Sequence, residues 1–193
     1  MLLSAVDFSH SLLKETVCKG DLVIDATVGN GSDTVLLATL VGPTGKVIGF
    51  DVQKQAVENT AQKLLLAGLT DQVTLLHQGH ETLADVLADN AKIGGAIFNL
   101  GYLPGSDKTI ITKKNTTIRA IEALLPKLRI GSYILIVVYS GHPGGMEEKK
   151  ALLDYCSSLN QSLFKVLQYG FINQINHPPF LIAIEKKKTP YTK

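Results

Sequence analysis

Along this chain, short runs of β-branched apolar residues alternate with stretches whose apolar positions recur every three or four residues, the pattern of strands alternating with helices. Leu2, Leu3, Val6, His10, Leu13 and Val17 recur at helical spacing and predict an amphipathic entry helix that ends before Gly20 and Asp21. Strands are expected over 22–25, 46–51, 72–76, 93–98, 131–139, 164–169 and 180–184. Between them the spacing predicts helices opening at Ser32, over 53–66, near 83–87, over 116–128 and over 147–159. The helix over 53–66 is expected to turn Ala56, Val57, Ala61, Leu64 and Leu65 inward and to close at Gly68. The run over 131–139 is almost unbroken in its apolar character, as a central parallel strand covered on both faces requires. This alternation predicts an α/β fold: one domain over 1–193, with a doubly wound, mostly parallel, seven-stranded sheet closed by a C-terminal antiparallel hairpin. Residues 1–19 are its entry helix and 186–193 a basic tail.

Composition narrows the class without naming a partner. With 193 residues, 45% of them hydrophobic and 19% charged, the chain can bury a full core as one soluble domain. A net charge of +2 does not announce a nucleic-acid binder, so any affinity for RNA must come from local clusters. Cys18 and Cys156 have no CxxC partner and no paired histidines nearby, which argues against a zinc site or a disulfide framework. Asp7 and His10 interrupt the apolar start and no basic stretch precedes it, so no signal peptide is expected; the run over 133–139 is too short to span a bilayer. A cytoplasmic protein without metal or membrane contact is the expectation.

Candidate chemistry concentrates where strands meet glycine turns. Leu22–Asp25 followed by Thr27, Gly29, Asn30 and Gly31, with Asp33 in the first turn of the next helix, makes a nucleotide-binding corner: the glycines let backbone approach a ligand, and helical N–H groups face it. Asp51 ends the second strand about twenty residues on, the spacing at which such folds hydrogen-bond a ribose, and a carboxylate there repels a 2′-phosphate. NADP is disfavoured for that reason. Together Asp25, Thr27, Gly29, Gly31 and Asp51 resemble the pattern of class I S-adenosylmethionine (SAM) methyltransferases; an acid beside the turn complements an ammonium and a sulfonium, but would repel a pyrophosphate. Gln53, Gln78 and His80 complete the candidate cofactor set, the last two at the end of the third strand, where adenine is expected.

The acceptor should lie beyond the carboxyl ends of the strands, beside Asn99. Asn99-Leu100-Gly101-Tyr102 is similar to the Asn-Pro-Pro-Tyr loop of amino-directed methyltransferases, with Leu100 and Gly101 in place of both prolines. That likeness implies that the Asn99 side chain accepts from an amine and that Tyr102 lies at the pocket mouth. His142, in the glycine-rich loop over 140–145, is the candidate base to remove the amine's extra proton, with Glu147 to orient it. His10 is either a partly buried helix residue or a neighbour of the cofactor.

Ile-Asp-Ala-Thr-Val-Gly-Asn-Gly-Ser-Asp-Thr at 24–34, Asn-Leu-Gly-Tyr-Leu-Pro-Gly-Ser-Asp at 99–107 and Gly-His-Pro-Gly-Gly at 141–145 together resemble the small bacterial family first labelled rRNA methylases, the YtqB/MnmM-like proteins. The resemblance covers nearly the whole chain. It implies transfer of a methyl from SAM to the amine of 5-aminomethyl-2-thiouridine at the tRNA wobble position, whereas the older label implies an rRNA substrate. The residues alone reach a SAM-dependent methyltransferase, with an amine as one acceptor they allow, and leave open an NAD-linked oxidoreductase or a non-catalytic nucleotide- or RNA-binding module. Lys108, Lys113, Lys114 and Arg119 follow the acceptor loop and are the expected contacts to the tRNA anticodon region, with Lys186, Lys187 and Lys188 as the rival patch. So few phosphate contacts per chain favour a homodimer.

Overall fold

A computed structural model describes residues 1–101, 114–141, 144–176 and 178–188. Seven strands form one sheet: β1 Leu22–Asp25, β2 Lys46–Asp51, β3 Val73–His77, β4 Ile93–Leu100, β5 Tyr133–Val138, β6 Phe164–Tyr169 and β7 Phe180–Lys186. Their order is β3-β2-β1-β4-β5-β7-β6. Strands β1 to β5 pair in parallel, and β7 runs antiparallel to both β5 and β6, so β7 alone is reversed. The sheet is therefore Rossmann-like with the expected C-terminal hairpin. The chain builds outward from β1 to β3 and then returns to place β4 on the other side of β1. This reversal is the switch point at which open α/β sheets bind ligands, and it sets the end of β1 beside the end of β4, with Asp25 paired to Ile97.

Strand alternation divides the core in two. Ile24, Phe50, Phe98, Ile134 and Ile136 face one layer, which is covered by the helices α4 Leu83–Val86, α5 Lys114–Leu124 and α6 Gly145–Ser158. Val23, Val47, Ile97, Leu135 and Val137 face the other, under α1 Ala5–Thr16, α2 Ser32–Val41 and α3 Lys54–Ala67. Neighbouring residues of one strand thus serve opposite layers, and β4 up to Phe98 and β5 from Ile134 are apolar because neither face meets water there. Among the described residues no helix is long and apolar enough to cross a membrane.

Several elements differ in extent from the sequence expectation. Ser4 caps α1 by accepting from the Asp7 N–H, so the helix starts at Ala5, and Leu2 and Leu3 lie ahead of it in solvent. Residues 70–72 form a tight 3-10 turn, which delays β3 to Val73. The helix expected over 116–128 spans Lys114–Leu124 instead, because Pro126 cannot continue it; Leu125 and Leu128 nevertheless remain buried. In α3 the inner face is Ala56, Thr60 and Leu64, while Ala61 and Leu65 point outward. Helical geometry puts Leu65 about 100° round from Leu64, and the packed stripe is too narrow to hold both.

The two adjacent leucines make that narrowness measurable. Leu64 is 2% exposed and Leu65 71%. Urea unfolding should show Leu64→Ala losing about 2–5 kcal/mol and Leu65→Ala staying within about 0.5 kcal/mol of the parent. Equal losses would contradict the observed face.

Candidate functional site

The end of β1 turns into α2 through a backbone that needs glycine. Gly29 (φ 52°) and Gly31 (φ 78°) both take the left-handed region. A Cβ on Gly31 would also lie 2.5 Å from Thr60 Oγ1, so α3 closes the back of the turn. Lys63 reaches across from the same helix to donate to the Asn30 carbonyl, while the Asn30 side chain stays exposed. No side chain caps the start of α2, so its first N–H groups keep the partial positive charge that favours an anionic group.

Asp51 fastens this turn to the end of β2. Its Oδ2 accepts from the Gly29 N–H at 2.8 Å and its Oδ1 from the Gln53 N–H at 2.8 Å. Each carboxylate oxygen retains acceptor capacity toward the cleft. Beside it Val52 is 55% exposed, and the His77 Nε2 meets the Val52 carbonyl at 3.1 Å. An exposed apolar side chain directly after the acid is a candidate surface for a ring, and its one signal in the sequence is an apolar residue outside any amphipathic stripe.

Asp25 lies beneath the turn. It is fully buried, with the Thr27 N–H at 3.2 Å and the Thr34 hydroxyl at 2.6 Å donating to it. Burial, and then the neighbouring charge of Asp33, push its carboxyl up to about 7. Asp25 therefore has no exposed atom to offer a ligand and supports the turn from within. His80 is also buried: its Nδ1 donates to the Ala26 carbonyl at 2.9 Å, and its ring packs edge-on to Phe98. Burial lowers its basicity, so the ring stays neutral, and Nε2 is left as a buried acceptor with no partner among the described residues. Gln78 is half-buried near the end of β3.

Asn99, at the end of β4, is held by two elements at once. Its N–H donates to Thr27 Oγ1 at 2.7 Å, and its Nδ2 donates to Asp33 Oδ2. Asp33 Oδ1 accepts in turn from His10 Nε2 at 2.6 Å, joining α1, α2 and β4 through one carboxylate. The amide can present only its nitrogen to that carboxylate, so the Asn99 Oδ1 is turned away from Asp33. Tyr139, at the end of β5, is 40% exposed; burial, and then Asp33, raise its phenol, which remains a neutral donor. Nothing in the sequence pattern marks Tyr139 or decides between the two readings of His10. Tyr102, His142, Lys108 and Lys113 lie outside the described residues. Among the described residues no group of three His, Cys, Asp or Glu side chains is placed to hold a metal.

Comparison with known proteins agrees with the fold. The family model described as "Putative rRNA methylase" matches residues 47–185. A chloroplastic tRNA (mnm(5)s(2)U34)-methyltransferase of Arabidopsis thaliana is 35% identical over 191 residues, covering 95% of this chain and 70% of that protein. An rRNA-methylase structure from Clostridium thermocellum superimposes with a TM-score of 0.93 at 41% identity, covering 96% of this chain and 99% of that one. A methyltransferase from Streptococcus mutans, solved in complex with SAH, gives a TM-score of 0.89 at 42% identity, again over 96% and 99%.

The buried Asp25 has a consequence for stability. Its folded value of about 7 lies above the unfolded 3.8, so the native state binds the proton more tightly. The stability this supplies is full below about pH 4 and is lost as pH rises through about 7. Asp25→Asn escapes that loss while keeping partners for Thr27 and Thr34. Its unfolding free energy should therefore gain on the parent's between pH 4 and pH 8, by on the order of a few kcal/mol at most. Parallel pH profiles from denaturant titration would contradict the assignment.

Proposed function

This chain belongs to the family described as "Putative rRNA methylase", and from that premise we propose that it is a tRNA methyltransferase acting on the amine of 5-aminomethyl-2-thiouridine at the wobble position. SAM is the cofactor, as the fold and the SAH-bound relative indicate. The observation that carries the amine reading is the Asn99 carboxamide, held by its nitrogen so that its oxygen is free to accept. The 35% identity with a tRNA enzyme across 95% of the chain favours tRNA over rRNA.

The residues of the corner suit SAM. The left-handed turn at Gly29 and Gly31 disfavours any side chain there, and Thr60 behind Gly31 leaves no room for a Cβ at that position. The uncapped start of α2 suits the carboxylate of an amino acid moiety. Asp51 offers acceptors to two ribose hydroxyls, and Val52 and Gln78 offer an apolar surface and a polar partner for a base, whereas His80 is buried and offers none. Asp25 and Asp33 add negative field, which favours a cationic ligand and opposes a pyrophosphate. When bound, SAM supplies an electrophilic methyl on a sulfonium, so the protein's task is to bring in a neutral amine in line. Asn99 Oδ1 would accept from that amine and aim its lone pair, with Tyr102 against the base and His142 taking the proton.

For the RNA, Lys114 and Arg119 stand exposed on α5, which begins where the chain returns from the acceptor loop. The rival lysines sit at the other end of the sheet. Strand β7 enters beside Val138, at the site, and leaves beside Tyr133, so Lys186 and its successors lie at the amino ends of the parallel strands. Lys186 is further engaged by the Leu125 and Pro126 carbonyls and Lys187 by that of Gln161. A homodimer would widen the phosphate footprint of so small a chain.

Incubating the protein with SAM and total RNA from cells lacking it, then digesting to nucleosides for mass spectrometry, tests the substrate. The expected product is 5-methylaminomethyl-2-thiouridine from tRNA, and replacing Lys114 and Arg119 by Ala should raise the KM for tRNA and leave SAM affinity unchanged. A methylated rRNA nucleoside with unmodified tRNA would overturn the proposal.

A further inference from the structure

We propose that His10, acting through Asp33, is the positioning residue for the acceptor amide, which makes the entry helix α1 a working part of the active site. This rests on the reading of Asn99 as the group that accepts from the amine. Asp33 is a single carboxylate with one oxygen on each partner: Oδ1 on His10 Nε2 at 2.6 Å and Oδ2 on Asn99 Nδ2. An ionised carboxylate only accepts, so both neighbours must donate, and the Asn99 oxygen is committed to the opposite side. His10 is thereby the outer end of a chain that fixes which face of Asn99 an incoming amine meets. The side chains of His10 and Asp33 are 24% and 11% exposed. Without the imidazole, the Asp33 carboxylate can rotate toward water and release the amide with it.

His10 is not needed to dock the helix. Ala5, Ser9 and Leu13 bury its inner face. At one end Tyr169 donates to the Leu3 carbonyl at 2.7 Å, and at the other Arg129 donates to the Thr16 carbonyl at 2.8 Å. A bond spanning 23 residues to the first turn of another helix is superfluous for anchorage and well placed for alignment.

The full-length enzyme tests this with two variants and two readouts. His10→Ala should lower kcat by about tenfold to a hundredfold, with the SAM dissociation constant within about twofold of the parent. His10→Gln, whose amide nitrogen reaches the place of the imidazole Nε2, should restore most of the rate. In nitrogen-15 spectra of the RNA-free protein, the Asn99 side-chain amide should exchange slowly in the parent and in His10→Gln, and quickly in His10→Ala. Unchanged amide exchange in His10→Ala overturns the inference whatever the substrate is. A loss of SAM affinity that matches the loss of kcat also overturns it, by placing Asp33 on the cofactor. If the amide responds as expected while the parent methylates a different RNA group, the inference holds and the proposed substrate falls.

Discussion

The carboxylate of Asp51 is the point on which the site is hung. By accepting from the Gly29 and Gln53 N–H groups it ties the glycine turn after β1 to the start of α3, and both of those bonds come from backbone. The geometry therefore survives most side-chain change nearby, provided the acid stays and the glycines keep their left-handed conformation. Thr60 packs against Gly31 from behind and leaves the turn little room to shift. The switch from outward to returning strand order then brings β4, and with it Asn99, to the other flank of the same turn. The glycine turn and the Asn99 carboxamide thus lie side by side.

Three carboxylates share this small space, and they are made tolerable in different ways. Asp51 is half-buried and spends its charge on backbone donors. Asp33 is bridged by an imidazole and a carboxamide. Asp25 is fully buried and yields part of its charge by holding its proton up to about 7. Mutual repulsion in such a cluster costs stability in the free protein, and a cationic ligand offsets that cost. A cluster of three carboxylates is well matched to a sulfonium that also carries an ammonium.

Much of this was legible in the sequence because it is local. The strand ending at Asp25, the glycines at 29 and 31 and the acid at 51 are close enough in the chain that spacing alone brings them together, and the strand alternation leaves only a doubly wound sheet to hold them. What was not legible depends on long-range packing. Nothing in the pattern says that His10 lands on Asp33, since their meeting depends on how α1 crosses the sheet. The outward turn of Leu65 is decided by the width of the groove under α3, and the early end of α5 by Pro126 outweighing an apolar stripe that continues past it. Asp25 shows a subtler gap: spacing identified the residue, but its full burial beneath the turn, and the proton it keeps as a result, emerge only in three dimensions.

Calorimetric titration of SAM into Asp51→Ala tests the account most directly, because that side chain shapes the turn and is the one proposed to hold the ribose. Affinity should fall by about 1–3 kcal/mol while circular dichroism shows the fold intact. An unchanged dissociation constant in a folded variant would mean that the cofactor does not lie across the ends of β1 and β2, and the site described above would have to be placed elsewhere.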